Sequence, residues 1–276
     1  MSQRLIGYHN TGTFLQQLSG ASKLIFFIVV SVACMTTYDT RLILFNGLLS
    51  LYLLRVARIP WKNISFVISF VTFFAVMNIL MVYLFSPTYG QEIYQSQTVL
   101  LKGWGSYNLT SQELFYLLNL ALKYFSTVPL AILFLITTHP SQFASSLNQI
   151  GLPYKVAYAL SLTLRYIPDI QEEFHTIRTS QEARGLELSP KAKLTDRIKG
   201  NLQIITPLIF SSLERIDTVS TAMELRRFGK EKKRTWFSAK PFTKADYLVI
   251  GLALIIALIT LLLFFSNHGR FYNPFL

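Results

Sequence analysis

Two arginines end two long amphipathic stretches in the charged central part of this 276-residue chain. Arg184 lies in the segment Gln-Glu-Ala-Arg-Gly, and Arg226 lies in Ala-Met-Glu-Leu-Arg-Arg-Phe-Gly. A guanidinium presents a rigid fork of donors that binds carboxylates and carbonyls in a fixed geometry. Arginine in the last turn of a helix also complements the helix dipole, and a following glycine is the usual C-cap. The duplication favours a shared binding role over two unrelated helix ends.

The composition is that of a membrane protein. The chain is 51% hydrophobic and 14% charged, with a mean hydropathy of +0.39, whereas soluble domains average about a quarter charged residues. A helix of about 20 apolar residues spans the hydrocarbon core of a bilayer. Five segments approach that length and predict five membrane-spanning helices: residues 23–38, 42–54, 64–85, 114–137 and 247–265.

Charges in the connections orient these segments, because Lys and Arg are retained on the cytoplasmic side. Residues 138–243 carry sixteen Lys and Arg against ten Asp and Glu, whereas residues 86–111 carry only Glu92 and Lys102. We therefore expect a multi-pass protein of a prokaryotic cell membrane with its N-terminus in the cytoplasm and its C-terminus outside. The predicted parts are a membrane domain (1–137), a cytoplasmic coupling domain (138–242), and a fifth transmembrane helix with a short outer tail (243–276).

The predicted coupling domain consists of long amphipathic helices. Apolar residues recur at spacings of three and four through residues 154–184, and the pattern indicates one apolar helix face. A second helix is expected over 201–228, after a linker at 186–200. Pro168 and Pro207 lie inside these helices and are expected to kink them. The fold class is therefore an all-α membrane protein.

Lys123 is a candidate functional residue inside the fourth predicted span. It lies ten residues after Glu113, about 15 Å into the bilayer at 1.5 Å per residue. A charge at that depth is costly and is treated as functional by default. The other spans offer no acidic residue in their apolar stretches, so three alternatives stay open: a carbonyl partner, an ammonium that reaches the interface, or a face turned to a cavity or another subunit.

Several classes of site are disfavoured by the sequence. The single cysteine, Cys34, lies in an apolar run, and the four histidines are far apart, so we expect no metal site. No glycine-rich phosphate-binding motif is present, and a nucleic-acid role is not indicated. The basic residues 230–234, just before the fifth span, favour contact with anionic membrane lipids.

Ordered motifs across the central part match a known family. They are Thr-Thr-His-Pro at 137–140, Leu-x-x-x-Gly-Leu-Pro at 147–153, Leu-Arg-Tyr-Ile-Pro at 164–168, Glu-Ala-Arg-Gly at 182–185, and Ala-Met-Glu-Leu-Arg-Arg-Phe at 222–228. With these motifs the chain resembles the transmembrane T-components of energy-coupling factor (ECF) transporters, a branch of the ABC systems. The resemblance covers essentially the whole chain.

The resemblance implies a non-catalytic subunit that works with partners. Two cytoplasmic ABC-type ATPases, which bind the ATP, would receive the two arginine-bearing helix ends, and a small integral-membrane S-component would bind a vitamin or trace metal. The chain itself would need no cofactor. The residues implied at the ATPase contacts are Ala183, Arg184, Gly185, Leu225, Arg226 and Arg227.

The second arginine motif departs from the family pattern at two positions. Leu225 replaces the usual alanine and Arg227 replaces the usual glycine. The arginine between them is kept, so docking is expected to be intact, with Arg227 altering which ATPase is preferred.

Three other functions stay open at this point. A conventional ABC permease would bind and conduct the solute itself. An intramembrane transferase or hydrolase would use Lys123 and loop acids, but it lacks a paired catalytic carboxylate or metal set. A channel would conduct without nucleotide. The resemblance places substrate specificity in the S-component, so this sequence does not name the vitamin or metal.

Overall fold

The computed structural model describes residues 12–103, 107–186, 194–231 and 234–275. Helices dominate these residues, which confirms the all-α class. The elements, in chain order, are α1 (Phe14–Gln17), α2 (Gly20–Thr36), α3 (Thr40–Val56), α4 (Trp61–Phe85), α5 (Tyr89–Tyr94), β1 (Val99–Leu101), β2 (Leu109–Thr110), α6 (Ser111–Thr137), α7 (Pro140–Gln149), α8 (Tyr154–Ala183), α9 (Leu194–Leu225) and α10 (Lys244–Ser266).

Three helices in the described residues are long and apolar enough to cross a membrane. They comprise Ile64–Phe85 of α4, the 27 residues of α6 and the 23 residues of α10. The helices α2 and α3 have 17 residues each, or about 25 Å at 1.5 Å per residue, slightly less than a hydrocarbon core of about 30 Å. Their role as the first two spans stays a prediction.

The chain divides into two compact units. The first, which we call the membrane unit, comprises the residues up to Ser146 together with those from Ala239 onward. The second comprises Leu147–Ser238, and we call it the coupling unit after the domain predicted at 138–242. Each unit therefore has its own packing, and the membrane unit is built from both ends of the chain.

Apolar side chains from α2, α6 and α10 form the main core of the membrane unit. Ala253 of α10 is fully buried, and it packs in one cluster with Phe26 and Val30 of α2 and Leu130 of α6. A small side chain lets helices approach closely within a bilayer. The otherwise largely exposed α10 therefore packs on α2 at a position where its own side chain is short.

Asp246 ties the start of α10 to the start of α2. Its carboxylate is fully buried and accepts hydrogen bonds from the backbone N–H of Ser19 (2.7 Å) and the hydroxyl of Ser22 (2.6 Å). It also accepts from the N–H and hydroxyl of Thr243 at 2.8 and 2.7 Å. A buried carboxylate is stable only when it is hydrogen-bonded in this way. Asp246 also lies in the first turn of α10, where the helix dipole favours negative charge.

The connection 86–111, expected to be a loop, contains α5 and the antiparallel pair β1–β2. Buried Glu113 accepts a hydrogen bond from the N–H of Gly90 at 2.7 Å, and the amide of Gln112 donates to the Thr98 hydroxyl at 2.8 Å. These contacts fold the connection onto the first turn of α6. Elements this short leave no readable hydrophobic period in a sequence.

The helix α9 begins at Leu194, earlier than the predicted start at 201. The prediction of a linker over residues 194–200 was therefore wrong. Leu194, Ile198 and Leu202 recur at intervals of four among charged and polar residues, and this helical spacing continues into the second predicted helix. The rest of the predicted linker, residues 187–193 with Pro190, lies outside the described residues. Pro168 and Pro207 lie inside α8 and α9 as expected.

In the coupling unit, α8 and α9 run antiparallel. The rings of Tyr158 and Phe228 lie 4.6 Å apart between centroids, and a guanidinium nitrogen of Arg215 lies 3.0 Å from a carboxylate oxygen of Glu173. Residue numbers rise along α8 as they fall along α9 between these two contacts. The C-terminal ends of the two helices therefore lie at opposite ends of the pair.

Candidate functional site

The C-terminal end of α8 closes in a Schellman motif, which we call the α8 tip (residues 181–186). The N–H of Leu186 donates to the carbonyl of Gln181, and the N–H of Gly185 donates to that of Glu182. Gly185 has φ +91°, the left-handed conformation that this motif requires and that glycine adopts without a Cβ penalty. Arg184 is the C-cap residue of the helix.

The end of α9, the α9 tip (residues 223–228), has the same hydrogen bonds. The N–H of Phe228 donates to the carbonyl of Met223, and the N–H of Arg227 donates to that of Glu224. Arg227 has φ +52°, so it occupies the left-handed position that Gly185 holds in the α8 tip. Arg226 therefore has the same place in its tip as Arg184 has in the other.

Both tips present their predicted docking residues to solvent. Arg184 and Arg226 are exposed, and Leu225 is 81% exposed. Glu182, which precedes Arg184 by two residues, pairs with Arg178 at 2.9 Å. Among the residues that the structure describes, no hydrogen bond, ion pair or ring contact involves the guanidinium of Arg184 or Arg226. Each tip thus offers an unpaired fork of donors beside an exposed apolar side chain, Ala183 or Leu225.

An ionic cluster joins α8 and α9 between the tips. Arg215 pairs with Glu173 and lies 4.0 Å from Asp169, and the hydroxyl of Ser211 also donates to Glu173. Glu173 precedes Arg184 by eleven residues, and Arg215 precedes Arg226 by eleven. Each distance along a helix is about 16 Å at 1.5 Å per residue.

The two tips are therefore far apart. Phe228 contacts Tyr158 near the start of α8, and Arg184 lies 26 residues after Tyr158 on the same helix. At 1.5 Å per residue, this separation and the two distances from the ionic cluster place the tips more than about 30 Å from each other. One small ligand could not contact both arginines, so the arrangement suits two separate partner surfaces.

Aromatic packing supports the α9 tip. The ring of Phe228 is tilted by 41° against the ring of Tyr158, and its centroid lies 5.7 Å from that of Tyr154. Arg234 lies 5.5 Å over the same ring and donates to the carbonyl of Arg227 at 3.2 Å. These contacts hold the backbone that carries Arg226 against the first turns of α8.

Lys123 lies in the membrane unit, apart from the tips. Its side chain is buried, and its ammonium donates to the carbonyl of Met35 at 2.8 Å. It also lies 3.2 Å from the ring centroid of Tyr38, which stacks on Phe271 of the C-terminal tail at 4.5 Å. A carbonyl and an aromatic face both stabilise an ammonium at low dielectric. These two contacts account for a charge within a membrane-spanning helix.

The ionic cluster and the aromatic support of the α9 tip are the residues that sequence reasoning missed. Glu173 and Arg215 lie on different helices 42 positions apart, so no short-range spacing connects them. Phe228 could have been found, because a large aromatic directly after an exposed helix end indicates a contact that holds the end in place.

Comparison with known proteins gives one consistent result. The family model of CbiQ, described as a cobalt transport protein, matches residues 11–236. The energy-coupling factor transporter transmembrane protein EcfT of Exiguobacterium sibiricum is 24% identical over 274 residues, which cover 96% of this chain and 99% of that protein. EcfT of Bacillus subtilis is 26% identical over 272 residues, with 93% and 97% covered. EcfT of Listeria innocua is 33% identical over 133 residues, 45% of this chain and 50% of that protein.

Proposed function

The chain belongs to the CbiQ family of transmembrane T-components of ECF transporters. On this premise, we propose that it couples two cytoplasmic ABC-type ATPases to a small integral-membrane S-component. The S-component binds a vitamin or trace metal, and ATP hydrolysis by the ATPases drives its uptake. This chain is the non-catalytic link between them, and ATP binds to the ATPases alone.

The matching geometry of the two tips carries this proposal. Arg184 and Arg226 are both C-cap residues of Schellman motifs, both exposed, and more than about 30 Å apart along the antiparallel pair. Two equivalent guanidinium groups on one rigid helix pair suit two partner proteins with similar binding grooves. Carboxylates and carbonyls in each groove would bind the guanidinium.

The ionic cluster at Glu173 and Arg215 gives the tips a common point of attachment. Each arginine lies about 16 Å from the ionic cluster along its own helix. A movement of either ATPase would therefore displace the α8–α9 pair from a similar distance. ATP binding and release change the separation of the two ATPases, and the helix pair passes that change to the S-component. The coupling unit is cytoplasmic in this proposal, in keeping with its excess of Lys and Arg.

Alanine substitution of the two arginines tests the proposal. The variants Arg184→Ala, Arg226→Ala and the double variant are co-expressed with tagged ATPases and an S-component, and ATPase retention and substrate uptake are measured. Removing one partner of a desolvated charged contact costs about 2–5 kcal/mol, so each single variant should weaken retention at least about 30-fold. The double variant should retain no ATPase and support no uptake.

Arg178→Ala is the matched control, since Arg178 is a half-exposed arginine of α8 that already pairs with Glu182. It should retain the ATPases like the unmodified chain. Full retention and full uptake in the double variant would refute the docking role.

A further inference from the structure

The segment that follows α10 folds back over one end of the membrane unit, and we call it the strap (residues 267–275). The helix α10 closes in a Schellman motif, in which the N–H of Gly269 donates to the carbonyl of Phe264 and the N–H of His268 donates to that of Phe265. His268 has φ +52°, the left-handed conformation that ends a helix and turns the chain. The strap therefore leaves the direction of α10 at this point.

The strap is attached to the short link between α2 and α3. The N–H of Tyr38 donates to the carbonyl of Arg270 at 2.8 Å, and Tyr38 and Phe271 form an isolated parallel β-bridge. The side-chain amide of Asn267 donates to the carboxylate of Asp39 at 2.9 Å. Asp39 is fully buried, and a buried carboxylate needs such donors. Both backbone and side chains therefore hold the strap on this link.

The farther part of the strap covers α5 and the first turns of α6. The ring centroid of Phe275 lies 5.7 Å from that of Tyr94 and 5.7 Å from that of Phe115. The side-chain amide of Asn273 donates to the carbonyl of Tyr94 at 3.2 Å. The strap thus connects α5 and α6 with the link between α2 and α3.

A buried ammonium lies beneath the strap. The ring of Phe271 stacks on the ring of Tyr38 at 4.5 Å between centroids, and the ammonium of Lys123 lies 3.2 Å from the centroid of that same Tyr38 ring. The ammonium also donates to the carbonyl of Met35 at 2.8 Å. A charge removed from water depends on such contacts. Phe271 of the strap therefore covers the ring that covers the charge.

The strap is more exposed than the groups that it covers. Each of its residues is half-buried or exposed, whereas Asp39, Tyr94 and Lys123 are buried. Segments with few buried contacts open locally at a lower free energy than packed helices. The strap can therefore detach while the helices beneath it stay folded.

We propose that the strap is a reversible lid over the Lys123 ammonium. In the closed state it excludes water from the ammonium, which is held by the Tyr38 ring and the Met35 carbonyl. Detachment opens this end of the membrane unit and lets water reach the charge. The inference goes beyond the transport function and does not depend on it.

Two measurements on the detergent-purified full chain test the lid. Amide hydrogen exchange of Tyr38 reports detachment, because this N–H donates to a carbonyl of the strap. Labelling of Cys34 with a methanethiosulfonate that carries a sulfonate group reports the entry of water, since Cys34 is the single cysteine and is 1% exposed. Cys34 directly precedes Met35, and its sulfur lies 3.3 Å from the hydroxyl of Ser126, three residues after Lys123. Its thiol therefore probes the space beneath the strap.

The variant Phe271→Ala should accelerate both processes by the same factor, because one opening event controls both. Phe271 is half-buried and lies against the Tyr38 ring, so exchange of Tyr38 and labelling of Cys34 should each become about 30-fold faster.

Asn267→Ala is a second variant, which keeps the test decisive if Phe271→Ala does not fold. It removes the hydrogen bond to the Asp39 carboxylate and should accelerate both processes about tenfold. Phe265→Ala is the matched control, since Phe265 lies in the last turn of α10, outside the strap, and is 67% exposed. It should leave both rates unchanged.

Three results would overturn the proposal. Rapid labelling of Cys34 in the unmodified chain would show that the strap excludes no water. Faster exchange of Tyr38 without faster labelling of Cys34 would show that detachment admits none. Unchanged exchange of Tyr38 in both strap variants would show that these contacts do not hold the strap closed.

Discussion

The α8 tip and the α9 tip have the same backbone conformation, but they differ in the residue at the left-handed position of the Schellman motif. Both close with the same pair of hydrogen bonds, yet Gly185 takes the left-handed position in the α8 tip and Arg227 takes it in the α9 tip. For a residue with a Cβ this conformation costs about 1 kcal/mol more than for glycine. The comparison shows that the motif geometry survives the loss of its glycine, and that the cost must be offset by other contacts.

The surroundings of the tips show where the offset comes from. An added Cβ at Gly185 would meet no atom within 4 Å. Among the described residues, none therefore packs against the α8 tip at this position. The α9 tip is held by Phe228 against Tyr158 and Tyr154, and by Arg234. One tip is thus favoured by its own glycine, and the other by aromatic packing.

The largest effect is expected from Phe228→Ala, which removes that packing. Truncating a fully buried phenylalanine to alanine costs about 3–5 kcal/mol. Because Phe228 is half-buried, the substitution should reduce the stability of the α9 tip by about 2 kcal/mol. Amide hydrogen exchange of Arg227 and Phe228 should become about 30-fold faster. The amides of Gly185 and Leu186 provide an internal reference in the same sample.

Leu186→Ala is the matched substitution, since Leu186 has the same place in the α8 tip as Phe228 in the α9 tip. It should accelerate exchange much less. Equal acceleration in the two tips would show that aromatic support does not distinguish them.

The features that could be predicted from the sequence are those formed by residues close together along the chain. The apolar periodicity of α8 and the duplicated Glu-x-Arg ends are local signals, and they predict both helices and their C-terminal ends, although not the start of α9 at Leu194. Arg227 departs from the family pattern, but its left-handed conformation could not be predicted, because the motif lacks the glycine that usually indicates it. The pairing of Glu173 with Arg215 depends on the antiparallel register of α8 and α9, which no local pattern contains.

A smaller effect is expected from exchanging the two left-handed residues. Arg227→Gly should stabilise the α9 tip by about 1 kcal/mol and slow its amide exchange about fivefold. Gly185→Arg should destabilise the α8 tip by a similar amount, and the cost is conformational because no atom lies within 4 Å of the added Cβ. Faster exchange in Arg227→Gly would instead show that the arginine side chain itself supports the α9 tip.

The smallest effect concerns the ionic cluster that joins the tips. Arg215 and Glu173 are partly exposed, and such pairs contribute about 0.5 kcal/mol, a roughly twofold change in population. Spin labels at Ala183→Cys and Leu225→Cys, in a Cys34→Ser background, report the distribution of distances between the two tips by pulsed electron paramagnetic resonance.

The variant Glu173→Arg should broaden this distance distribution, because the new arginine repels Arg215. The double reversal Glu173→Arg, Arg215→Glu should narrow the distribution again. Because Arg178→Glu changes a charge within α8 alone, it should leave the distribution unchanged. If the distance distribution stays broad after the double reversal, apolar packing alone would fix the distance between the two tips.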